Sequence, residues 1–90
     1  MNKNRRQALH EAGEEISSAT CSIQEIIDSI QELIDEEEEA YDNLPDGIKY
    51  SSRGEAMEEA ISAMEEYISS LEDCQSSLAD VMENIEGFGF

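Results

Sequence analysis

Apolar residues recur along the first half of the chain at alternating intervals of three and four. The series runs Leu9, Ala12, Ile16, Ala19, Ile23, Ile26, Ile30, Leu33, Glu37, Ala40 and Leu44, and Glu37 is its one polar member. The second half repeats the pattern with Met57, Ala60, Met64, Tyr67, Leu71, Cys74, Leu78, Val81, Ile85 and Phe88. A mean spacing of 3.5 residues marks a helix that buries one seam against another helix. Nothing alternates with period two, so the pattern excludes strands.

Between the two series lies a break. Pro45 biases the residue before it away from helical angles. Asp46-Gly47 is a turn signal. Ser52, with Glu55 three residues on, reads as a capping box that starts the second helix. Gly54 weakens the first turn slightly, as a helical glycine does. Gly87 reads as a helix stop. One domain of 90 residues is therefore expected. Its parts are a basic tip over 1–6, a helix over 7–44, a turn over 45–52, a second helix over 53–86 and a tail over 87–90.

Two long helices joined by a short turn fold back on each other. The spacing suggests a register in which Leu44 faces Met57, Glu37 faces Met64, Ile30 faces Leu71, Ile23 faces Leu78 and Ile16 faces Ile85. Both seams stay in phase throughout. The expected fold is all-α, an antiparallel two-helix coiled-coil hairpin.

A second stripe follows each seam by one position: Thr20, Ile27, Ile34 and Tyr41 in the first arm, Ile61, Ile68, Gln75 and Met82 in the second. An apolar face wider than a narrow seam is what a bundle helix needs, and a lone hairpin of this size has a thin core. The pattern thus predicts that Ile27, Ile34, Tyr41, Ile61, Ile68 and Met82 meet a second copy, giving a homodimeric four-helix bundle. The alternative is that this stripe broadens the hairpin's own contact.

Charge changes the picture next. The chain carries 23 acids against 5 Lys and Arg, a formal net charge of −18. Such a charge repels nucleic acid and anionic membranes and suits a basic partner. Hydrophobic residues make up 39% of the chain, too many for a disordered acidic tail. There is no apolar run of membrane-spanning length, and the start MNKNRRQALHEAG lacks the apolar core of a signal peptide. A cytoplasmic location is expected, with Cys21 and Cys74 as free thiols. Cys74 falls in the seam, as a small core residue does; Cys21 falls outside it.

Thirteen of the 23 acids lie within residues 32–66. Crowding like charges stabilises nothing in an isolated fold. Glu36, Glu37, Glu38, Glu39, Asp42, Asp46, Glu58 and Glu59 are therefore candidate partner-binding residues. Glu37 sits in the seam, where a carboxylate costs stability unless it is wet or paired. Other chemistry finds little support. The single histidine, His10, belongs to no Glu-x-x-His motif, and the acidic run lacks the residue placement of a calcium loop. No metal, no cofactor and no catalytic residue is expected. Phe88 continues the seam over Ala12 or Leu9, and Phe90 is a candidate end contact or partner anchor.

The segment EEEEAYDNLPDGIKYSSRGEAMEEAISAMEEYISSLEDC resembles small acidic helical-hairpin proteins encoded by phages and prophages. The likeness rests on the Glu run, DNLP, a short polar link and repeated Met-Glu-Glu and Leu-Glu units. It implies a phage setting and no particular activity. Together with the acidic bend, it leads to the expectation of a non-enzymatic inhibitor, directed at host defence or host takeover. Such an inhibitor would bind a basic groove of a host protein by nucleic-acid mimicry. One rival is an assembly protein that acts through its oligomer. Another is an oligomer that sequesters a small anionic ligand with Arg5, Arg6, Lys49 and Arg53.

Overall fold

The computed structural model describes residues 1–88. Helix α1 spans Lys3–Asp42, a one-turn helix α2 spans Asp46–Lys49, and α3 spans Ser52–Glu86. α1 and α3 pack along their length as an extended hairpin, 69 Å long and about 15 Å across. That length agrees with 40 residues at 1.5 Å each, roughly 60 Å, plus the connection.

The ends of the elements differ from the expected boundaries for local reasons. α1 begins at Lys3, not residue 7, because the Asn2 side chain accepts a hydrogen bond from the Arg5 backbone N–H at 2.9 Å. The basic tip is thus the first turn of the helix. α1 closes at Asn43, two residues before Pro45. The expected turn contains α2, capped by Pro45, whose carbonyl accepts from the amides of Ile48 and Lys49. The capping box at Ser52 and Glu55 does not form. Ser51 is the cap residue of α3, and its hydroxyl donates to the Ile48 carbonyl instead. α3 closes at Gly87 in an ordinary right-handed conformation.

Gly54 is one of the three buried residues among those described. A Cβ placed there would collide with the backbone of Lys49. The last turn of α2 therefore crosses the first turn of α3 at a distance that only glycine permits. The glycine reads as a weakness in sequence and is a requirement of the bend.

The register is offset from the expected one by about a helical turn. Gly13 lies against Ile85, where the sequence placed Ile16. Tyr41 bonds Glu58, and Gln75 bonds both the Thr20 carbonyl and the Gln24 side chain. Carried along two regular antiparallel helices, the Gly13–Ile85 level sets Ile27 by Leu71, Ile30 by Ile68, Ile34 by Met64 and Glu37 by Ile61. Every one of these positions is buried or half-buried.

The offset exchanges the two stripes. Ile27 is 8% exposed and Ile34 2%, and they are the buried hydrophobic residues of the hairpin. Tyr41, Ile61, Ile68 and Met82 are half-buried. The stripe expected to meet a second copy is thus the hairpin's own core. The positions expected to form part of the seam face water instead: Ile26 is 49% exposed, Leu33 52% and Tyr67 58%. Cys74 and Phe88 are exposed for the same reason. Phe90 lies outside the described residues.

The physical reason lies in what each set packs against the facing helix. Both readings share Ile16, Ile23, Ile30 and Glu37, so periodicity does not choose between them. The inward set offers Ile at 27, 34, 61 and 68, where the other offers Ile26, Leu33, Ala60 and Tyr67, so it buries more aliphatic surface. Its polar members are satisfied locally. The Thr20 hydroxyl donates to the Ile16 carbonyl at 2.9 Å, and Gln75 bonds across the hairpin at 3.1 and 3.3 Å.

Candidate functional site

The bend end of the hairpin holds the acidic residues of the C-terminal part of α1, those of the first turns of α3, and α2 between them. Glu36, Glu38, Glu39, Asp42, Asp46, Glu58 and Glu59 are exposed, and Glu37 is half-buried in the seam. No buried side-chain oxygen or nitrogen lacks a partner among the described residues, so the Glu37 carboxylate reaches water beside the seam. Glu55, Glu58, Glu59 and Glu66 also line a shallow depression along α3 with Ser62 and Ala63.

These carboxylates are not neutralised from within. Among the described residues the one basic side chain in contact with a carboxylate is His10, 3.2 Å from Glu14 and far from the bend. Lys49, the cation in the connection, places its ammonium 5.6 Å from the centre of the Tyr41 ring. That is a cation–π contact. It seats the cation on the Tyr41 ring, and among the described residues it makes no ion pair with the Glu run.

Tyr41 organises this end. Its hydroxyl donates to the Glu58 carboxylate, joining α1 to α3, while its ring holds Lys49 of α2. The hydrogen bond to Glu58, then desolvation, then the negative charges of Glu58 and Asp42, push its ionisation up to about 12. Sequence reasoning placed Tyr41 in an apolar stripe and missed this role. The offset register brings it level with Glu58, and no spacing signal gives that offset.

The ends of α1 carry charge against the helix dipole. Lys3, Arg5 and Arg6 lie at its N-terminus and Glu39 and Asp42 at its C-terminus, with no acid in the first turn and no base in the last. Each such charge costs roughly 0.3–1 kcal/mol when solvated. The arrangement lowers the stability of the isolated helix at both ends.

The described residues contain no cluster of His, Cys, Asp and Glu that could hold a metal ion. None of the described helices is long and apolar enough to cross a membrane. Cys21 and Cys74 are both free and exposed. Comparison with family models, with curated proteins and with solved structures found no match.

Proposed function

We propose that the protein is a non-enzymatic binding module that docks its acidic bend on a basic groove of another protein, as an inhibitor would. The observation that carries this reading is the placement of charge. Glu39 and Asp42 lie in the last turn of α1, where the dipole disfavours them, behind Glu36, Glu37 and Glu38, and no Lys or Arg among the described residues makes an ion pair with them. An external cationic surface relieves that cost. The one-turn change of register takes away the seam alignment on which this reading first stood, and it now rests on the acids of the bend alone. Glu36, Glu38, Glu39, Asp42, Asp46, Glu58 and Glu59 are the contact residues, and Tyr41 holds the two arms together beneath them. The half-buried Glu37 lies at the edge of the surface. The phage setting rests on the DNLP resemblance alone.

The test compares the native chain with the triple variant Glu36→Lys, Glu38→Lys, Glu39→Lys in capture from host lysate at low and high salt. A basic protein held by the native chain, released by salt and not held by the variant supports the reading. Equal capture by both chains removes it. The rival reading, an assembly protein whose oligomer is the function, is favoured by a different observation, the exposed apolar stripe. In that case Ile26→Asp with Tyr67→Asp abolishes function and the charge-reversed chain remains active.

A further inference from the structure

Each large exposed apolar residue of the arms immediately precedes an inward one: Ile26 before Ile27, Leu33 before Ile34, Tyr67 before Ile68, Val81 before Met82. These outward residues share one side of the hairpin. The residues that follow the seam on the opposite flank, Gln24 and Glu58, reach across to the facing arm in hydrogen bonds. In an antiparallel pair the like flanks of the two helices adjoin. The preceding residues therefore meet on the other side and form one face.

That face is almost free of charge. On α3, the flank and the row beyond it, from Ala56 through Ala63, Ser70 and Ser77 to Asn84, hold no charged residue. On α1, the same two rows from Ala8 to Ala40 hold Glu15 and Glu36 as their charges. All but two of the 23 acids thus lie elsewhere. The acids thus concentrate on the other faces, and exposed apolar patches of this length mark interaction sites.

We propose that this face binds a second copy of the chain, with the two hairpins antiparallel, to make a four-helix bundle. Three features select that occupant. From Ala12 to Ala40 the face runs about 42 Å, and across a hairpin 15 Å wide a pair buries on the order of 1,200 Å², enough for a specific interface. With two copies of α1 fully overlapped and antiparallel, Ile26 lies level with Ala19 of the second copy and Leu33 with Ala12. Large side chains then meet small ones, as close packing requires. The end-for-end order also brings Arg5 of each copy, on the Ile26 row, toward Glu36 of the other, on the same face. A parallel pair would set the two acidic bends side by side.

The second copy covers Glu36 of the docking surface and leaves Glu38, Asp42, Glu58 and Glu59, on other rows of the two helices, free for the docking reading. The midpoint of α1 falls beside Ile23, which the Gly13–Ile85 level sets by Gln75. Cys74 therefore lies near the two-fold axis, and the two copies of Cys74 approach each other. The exposed Cys21 points elsewhere and serves as the control.

The test is sedimentation of the native chain, followed by treatment with a short bismaleimide. A mass twice the 10.1 kDa of the chain is expected. A cross-linked dimer should be lost in Cys74→Ser and retained in Cys21→Ser. Ile26→Glu with Tyr67→Glu should halve the mass while helical circular dichroism persists. A native chain that sediments as a monomer at high micromolar concentration overturns the proposal, as does cross-linking through Cys21. So does a dimer that survives the double variant. If the double variant fails to fold, the native mass and the cross-linking pattern still decide.

Discussion

Gly54 sits directly against the backbone of Lys49, at the point where α2 turns into α3. The contact is main chain to main chain, so no side chain can swing away to make room. Gly54→Ala is expected to destabilise the hairpin by about 2–3 kcal/mol, through overpacking at a rigid site. Helix propensity alone would favour alanine by about 1 kcal/mol, so the sign decides between the two effects. Urea unfolding followed by circular dichroism measures it. A midpoint equal to or above that of the native chain would refute the close crossing.

Gly13 gives the opposite outcome. A Cβ there would meet the Ile85 Cγ2 at 3.7 Å, an ordinary contact. Gly13→Ala gains about 1 kcal/mol of helix propensity with no clash. For a domain of this size that raises the Tm by roughly 4–8 °C. A lower Tm would mean that Ile85 presses closer than this register allows.

Neighbouring residues on α1 distinguish the two stripes. Ile34 is 2% exposed and Leu33 52%. Ile34→Ala should cost about 2–4 kcal/mol. Leu33→Ala, measured at dilution where each hairpin stands alone, should cost less than about 1 kcal/mol. Equal costs would show that the inward face had been assigned to the wrong stripe.

Much of the fold is legible in the residues alone. Two 3.5-residue repeats give two helices, and Pro45 places the bend. Leu9, Ile16, Ile23 and Ile30 face inward in either register. The choice between Ile26 and Ile27, or Leu33 and Ile34, is not legible, because adjacent apolar residues satisfy the same periodicity. Packing volume and the short connection decide it, and both depend on the facing helix. The exposed carboxylates of the bend were legible as charge. The link from Tyr41 to Glu58 was not, since it exists only at the observed register. Gly54 shows the same limit: a glycine in a first helical turn reads as a weakness until the carbonyl of Lys49 is found beside it.

Tyr41 supplies the pH-dependent prediction. Its ionisation is raised from 10.0 to about 12 by the hydrogen bond to Glu58 and the charges around it. A group whose folded pKa lies above its unfolded value stabilises the fold fully below the unfolded value and loses that contribution as pH rises through the folded one. The stability that Tyr41 gains over Tyr41→Phe should therefore be constant up to about pH 10 and fall away as pH approaches 12. Phenolate absorbance provides the direct check. The difference between the native chain and Tyr41→Phe should rise near pH 12, and Glu58→Gln should move that rise to lower pH by removing the neighbouring charge. A difference spectrum that titrates near pH 10 in the native chain would break the link between the arms, and with it the rigid base beneath the acidic bend.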